Sequence, residues 1–314
     1  MKRVFLIKVI LFLIPLLAFA VGIETFVRTI PNSYSYKKQW MEDHKDSVET
    51  IILGNSHMYA AIDASLMRNA FNLSNSAQRL EIDSWLLSEY IDKCPNLKNV
   101  LVNIDDMNLF SSDYENSDKL WNRAIYYNLY MNYPKHANLS IYHYEISCPM
   151  STCSKIERYV LSVATRKSYN IDCDPLGRGT NYGADKQRPK ELEEKNIARL
   201  NNEDVTMDVT ASRLCKNTPY LYKIAKLCNN HHVRLILLST PYWYLYNRVA
   251  DKSDVDTAEN FAIALARKYN IEYGNFRKDN RICNNKQYFV DCHHLSDEGS
   301  GVFTAILKET YKLE

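Results

Sequence analysis

A serine followed by a histidine, Ser56-His57, stands directly after a short apolar run and the pair Gly54-Asn55. A second polar cluster, Asp291-Cys292-His293-His294, lies far downstream near the C-terminus. A serine hydroxyl is a poor nucleophile at neutral pH. It becomes a good one when an imidazole takes its proton and a carboxylate holds that imidazole in the right tautomer. Asp291 and His294 are three residues apart, so one turn can bring carboxylate to imidazole, whereas Ser56 must reach them through the fold. The chemistry open to such a trio is acyl transfer through an acyl-serine. Its rate should fall as the base protonates, within a unit or two of the ordinary histidine value of about 6.5.

Each of these residues has a plainer reading. Ser56 sits where a helix N-cap would, Asp291 could serve a turn, and His294 could be a packed side chain. His293 is an alternative base. His57, being adjacent to Ser56, points elsewhere if the backbone is regular, which leaves it a supporting or substrate-binding role. Asp291, His293 and His294 with Cys283 or Cys292 could also be read as metal ligands, but no metal or other cofactor is expected.

The elements that must carry these residues are legible from hydrophobic spacing. Val48–Leu53 reads as a buried strand ending at Gly54, and Val100–Ile104 as a second. Residues 82–91 have helical spacing. Residues 111–210 are rich in Tyr, Asn and charge, contain the loop signal Pro175-Leu176-Gly177-Arg178-Gly179, and read as an insertion or covering region, not as an independent domain. Within it, Glu191 and Lys195 form an i,i+4 pair on an expected solvated helix. Alternation resumes with a helix around 221–228, the strand Arg234–Ser239, a helix around 258–269, a short strand near 271–276, and a C-terminal helix over 297–311. Strands alternating with helices imply an α/β three-layer sandwich with a central parallel sheet. In such sheets ligands bind at the carboxyl ends of the strands, where Ser56 falls.

Gly54-Asn55-Ser56-His57 after an apolar strand, and Asp291-x-x-His294-Leu295 before a C-terminal helix, resemble the first and last blocks of the SGNH/GDSL hydrolase superfamily. The strand ending in Ser239-Thr240-Pro241 is also similar. The resemblance covers roughly 48–110 and 219–311. It implies a flavodoxin-like SGNH domain with Ser56 as nucleophile, His294 as base and then acid, and Asp291 as its orienting partner. The family's oxyanion hole uses the serine amide, a glycine and an asparagine. Here the second block reads Phe71–Gln78 without glycine, and no Gly-x-Asn-Asp occurs near 102–108. The substitutes are Asn75 and Gln78, with Asn103 or Asn108 behind them and His57 near the substrate. The α/β-hydrolase elbow Gly-x-Ser-x-Gly is disfavoured, since it needs glycine where Met58 stands.

The compartment follows from the N-terminus. Val4–Ile23 is apolar apart from Lys8, long enough for about 30 Å of helix. Lys2 and Arg3 precede it and Glu24 follows, so the positive-inside rule leaves the N-terminus in the cytoplasm and the domain outside. The expected organisation is an anchor or signal over 1–26, a connector over 27–47 and an SGNH-like domain over 48–314. Ala18-Phe19-Ala20 also fits a signal-cleavage site, in which case the domain is exported after cleavage. Eight cysteines permit disulfides outside the cytoplasm, with Cys283–Cys292 the expected pair, while Cys94, Cys215 and Cys228 read as buried thiols. With 39 Lys+Arg against 37 Asp+Glu and a net charge of +2, the chain lacks the basic field of a nucleic-acid binder.

Together with the anchor, the resemblance is to exported, DltD-like and alginate-acetylation-like SGNH proteins. It implies an esterase or acyltransferase acting on acyl, chiefly O-acetyl, groups of envelope polysaccharide. The partners it implies are the membrane, an acylated glycan substrate and a membrane-bound acyltransferase. The rival classes are a non-catalytic binding or assembly component of an envelope-polymer pathway and a lipase.

Overall fold

A computed structural model describes residues 2–111, 113, 114, 120–135, 139–193 and 214–314. The expected Glu191–Lys195 pair lies outside them at Lys195. The chain divides into two compact units. The first comprises Met1–Gln39 and Asp118–Ile171, the second Trp40–Ser117 and Asp172–Glu314.

The second unit holds a five-stranded parallel sheet. Its strands are β1 (Thr50–Leu53), β2 (Ala70–Asn72), β3 (Asn99–Asn103), β4 (Arg234–Ser239) and β5 (Glu272–Asn275), in the order β2-β1-β3-β4-β5. Register is continuous: Thr50 pairs with Ala70 on one side and Asn99 on the other, Val100 with Leu235, and Ile236 with Glu272. β1 and β2 are buried throughout, and β3 and β4 at all but their first residue, as parallel strands covered on both faces must be.

The crossover through α3 (Ser56–Ala61) runs one way along the sheet. Those through α4 (Leu80–Tyr90), α8 (Leu214–Asn230) and α10 (Lys252–Tyr269) run the other. Right-handed connections therefore put the two sets on opposite faces. In keeping with this, α4 packs on α8 and α8 on α10, while α3 packs on the C-terminal helix α12 (Asp297–Tyr311). Short helices α5 (Asp106–Leu109), α9 (Tyr246–Val249) and α11 (Asn280–Cys283) follow β3, β4 and β5 along the chain. The expected α/β architecture with a central parallel sheet is present. β2 was not anticipated, because Ala-Phe-Asn is too short to show alternation.

Cys283 and Cys292 are not joined, contrary to the expected disulfide. Cys283 is a free thiol whose Sγ donates to the Arg277 carbonyl at 3.3 Å, and burial pushes it up to about 12. Cys94 and Cys228 are buried thiols as expected. The Cys215 side chain lies outside the described ones.

The first unit contains α1 (Lys2–Thr29), α2 (Ser33–His44) as far as Gln39, α6 (Asn122–Tyr130) and α7 (Pro149–Ala164). The stretch read as a polar connector is thus largely helical. α1 is the one described helix long and apolar enough to cross a membrane. Its last turns join the unit: Val27 is fully buried, and Glu24 accepts from Arg28 Nε at 2.6 Å and from the Glu145 and Ile146 amides at 3.2 and 3.0 Å.

Candidate active site

Strand order 2-1-3-4-5 has its topological switch point between β1 and β3, and in sheets of this kind ligands bind there, outside the carboxyl ends. Ser56 lies just past β1 and Asp105 just past β3. Gly54 makes the turn, with φ +135°, and a Cβ there would stand 2.1 Å from Asn103 Oδ1. Asn55 then caps α3: its side chain accepts the His57 amide at 2.9 Å. Ser56 is therefore the first helical residue, not the cap. Its own N–H meets no acceptor among the described residues. From β2, Asn72 Nδ2 donates to the Met58 and Ile62 carbonyls, both at 3.2 Å, and holds the far end of α3.

Ser56 Oγ donates to His294 Nε2 at 2.8 Å. His294 Nδ1–H donates to Asp291, 3.0 Å from Oδ1 and 2.9 Å from Oδ2. Asp291 Oδ1 also accepts the amides of His293 and His294 at 3.0 and 2.8 Å, so its turn role and its imidazole contact coexist. Arg188 closes on Oδ2. Burial alone would raise this carboxyl, but the charges of His294 and His293, the His294 bond and Arg188 outweigh it and hold Asp291 far below its usual range. The carboxylate stays ionised, which keeps His294 Nε2 available as an acceptor. The fold thus brings Ser56, Asp291 and His294 together, with His294 rather than His293 on the serine.

A second histidine–carboxylate pair lies behind the first. His57 Nδ1–H donates to Asp105 Oδ2 at 2.9 Å, and His57 Nε2 accepts from His293 Nδ1 at 3.2 Å. Tyr242 OH adds a contact to His57 Nδ1 at 3.0 Å. Asp105 is fixed by Asn103 Nδ2 at 2.9 Å and by the Asn108 amide at 2.8 Å. Burial, together with the charge of His294, depresses His293 well below the ordinary histidine value, so it is neutral at pH 7. One nitrogen each from His57, His293 and His294 lie within 4.8 Å of one another, the kind of set that can hold a transition metal. Hydrogen bonds to Ser56 and between His57 and His293 already account for that proximity. Sequence spacing did not single out Asp105, Tyr242 or Arg188. Asp105 alone left a trace, as an acid just beyond the tip of an apolar strand.

The substitute oxyanion donors divide. The Gln78 side chain donates from Nε2 to Asp83 Oδ1 at 2.6 Å, which takes one of its two amide hydrogens. Asn103 and Asn108 are spent on the Asp105 network. The Asn75 amide donates to the Gly54 carbonyl at 3.1 Å, which ties its loop to the nucleophile turn. Asn75 Oδ1 accepts the Ser76 amide at 2.9 Å, while Nδ2 finds no acceptor among the described residues.

Asp83 also takes the Gly54 N–H, and burial pushes its carboxyl up to about 7 against those two donors. The folded protein therefore keeps a proton that the unfolded chain releases near 3.8. Stability should fall as pH rises from about 4 to about 7, then level off. Asp83→Asn should flatten that slope and raise stability at pH 8 by about 2–4 kcal/mol. Urea unfolding of both proteins at pH 5 and pH 8 measures this. Equal slopes in the two proteins would refute it.

No family model matches the sequence, and no curated protein is significantly similar to it. Solved structures do align. A lipase/acylhydrolase from Enterococcus faecalis is 11% identical with TM-score 0.38, over 85% of this chain and 98% of that one. A candidate acylhydrolase from Bacteroides fragilis NCTC 9343 is 9% identical with TM-score 0.40, over 92% and 93%. LAE5, an alpha/beta hydrolase enzyme from the metagenome of Lake Arreo, Spain, is 12% identical with TM-score 0.34, over 85% and 96%. The α/β assignment rests on the strand order and register above, not on these likenesses.

Proposed function

We propose that this protein is an SGNH-type serine esterase or acyltransferase that works through an acyl-Ser56 intermediate. The observation that carries the reading is the 2.8 Å contact of Ser56 Oγ with His294 Nε2, whose other nitrogen is on Asp291 at 2.9 Å. Ser56 Oγ bonds to the acyl carbon as its proton passes to His294 Nε2. The oxyanion then takes the Ser56 N–H and the Asn75 side-chain amide. Collapse breaks the ester bond, and the leaving alkoxide takes the proton back from His294. In the second half, His294 removes a proton from water or a sugar hydroxyl. That oxygen attacks the acyl carbon, and Ser56 leaves with the proton.

The substrate we assign is an O-acylated, chiefly O-acetylated, glycan of the cell envelope, with α1 anchoring the domain on the outer side of the membrane. Support comes from the apolar N-terminal helix and from the SGNH-like end blocks. A second reading, a non-catalytic binding component, draws on the missing glycine of the Phe71–Gln78 block and on Gln78 Nε2 facing Asp83 at 2.6 Å. A serine-reactive fluorophosphonate separates the two. The full-length protein should gain one adduct, located on Ser56 by peptide mass spectrometry and absent from Ser56→Ala. No adduct, or one unaffected by that substitution, overturns the enzyme reading.

A further inference from the structure

α7 is built inside out for a helix in water. Its buried residues are Thr152 and Lys155. Thr152 Oγ1 donates to the Glu145 carbonyl at 2.6 Å. Lys155 Nζ donates to Glu145 Oε1 at 2.7 Å and to Tyr130 OH at 3.0 Å. The residues α7 exposes include Met150 at 85%, Val160 at 52%, Leu161 at 60% and Val163 at 62%. The turn before it exposes Leu139 at 89% and Ile141 at 59%. Outside α1 and this segment, the single large apolar side chain exposed among the described residues is Leu66. A soluble helix turns its apolar stripe inward, and a concentrated exposed patch marks a contact surface. Burying each such side chain is worth about 1.5–3 kcal/mol, so together these side chains favour an apolar environment.

The register against α1 identifies what covers it. The apolar run of α1 ends at Ile23, and Phe26 lies three residues further, about 4–5 Å along the axis. The Phe26 ring packs edge-on against Tyr159 of α7, with centroids 6.1 Å apart, and Arg28 Nη2 donates to the His143 carbonyl at 2.7 Å. The middle of α7 thus sits at the level where a membrane crossed by α1 passes from acyl chains to headgroups. Interfacial helices lie within about 5–10 Å of that boundary. Arg158, Arg166 and Lys167 are exposed on the same stretch, with Glu157 as the opposing charge, which suits anionic headgroups. Tyr159 and Tyr169, whose rings meet at 5.5 Å, add the amphipathic aromatics typical of that depth.

We propose that α7 and the turn before it form a second, interfacial membrane contact, seated in the headgroup region of an anionic lipid surface beside the end of α1. The proposal rests on α1 crossing the bilayer, so the test reads the two contacts separately. Full-length protein is placed in nanodiscs of phosphatidylcholine and phosphatidylglycerol, with and without brominated acyl chains. Tryptophan is introduced at one position at a time, and the parent signal is subtracted. Phe12→Trp reports the span and Leu161→Trp the seat, with N-acetyltryptophanamide free in the buffer as the control. Brominated lipid should quench the added Leu161→Trp signal at least about twofold more than the free indole, and Phe12→Trp more strongly still. If Phe12→Trp is quenched and Leu161→Trp no more than the free indole, the span stands and the seat is overturned. Should neither be quenched, both fall. Shielding of Leu161→Trp from aqueous iodide without quenching by brominated lipid would mean that protein, such as a second copy, covers the face, which also overturns the proposal.

Discussion

Ser56→Ala and His294→Ala should each lower kcat for hydrolysis of a small aryl acetate by about 10⁴-fold or more, and the double variant should be no slower than the worse single one. The expectation follows from the geometry. Ser56 Oγ and His294 Nε2, at 2.8 Å, act as one unit, since the serine is unreactive without its base and the base has nothing to deprotonate without the serine. Removing either removes the whole function, so the second change has nothing further to take away. Asp291→Asn should fall in the same range, because an amide in place of the carboxylate can donate to Nδ1 and turn the N–H of His294 toward the serine. The residual rate reports what the Ser56 N–H and Asn75 contribute alone. Losses that add on a logarithmic scale would mean that the two residues act independently, and the acyl-serine route would be abandoned.

Gly54→Ala should cost about 3 kcal/mol or more of folding stability, measured by urea unfolding. Two effects coincide there. The backbone sits at φ +135°, which side-chain-bearing residues rarely adopt, and the new methyl would stand 2.1 Å from Asn103 Oδ1 and 2.8 Å from Met58 Cγ. Asn103 has no freedom to retreat. It bonds the Asn55 amide at 3.2 Å and Asp105 at 2.9 Å, so moving it unseats both the nucleophile turn and the carboxylate behind His57. Fluorophosphonate labelling should therefore slow along with the loss of stability. A Gly54→Ala protein that melts and labels like the parent would show that the turn accommodates a methyl without moving Asn103.

How much of this could be read beforehand varies by residue. Ser56 was legible because a β-branched run followed by glycine marks a strand tip whatever the rest of the chain does. Asp291 and His294 were legible because a spacing of three closes a turn locally. Arg188 was not, because its contact with Asp291 crosses 103 residues from a segment with no periodicity. Tyr242 lies 185 residues from His57 and was missed for the same reason. Gln78 faces an acceptor that sequence cannot show, Asp83, one turn into α4. Cys283 was paired on proximity in sequence, whereas its thiol turns to the Arg277 carbonyl.

The distance between nucleophile and base along the chain sets an order of events during synthesis. His294 emerges 238 residues after Ser56. At about 5–20 residues per second, the ribosome separates the two by on the order of ten to fifty seconds. α12, which packs on α3 behind the serine, is later still. Throughout that interval the growing chain carries an inert hydroxyl. Any product cut short before residue 291 leaves the cell with a serine that has no partner, so premature termination would release no stray acyl-transfer activity.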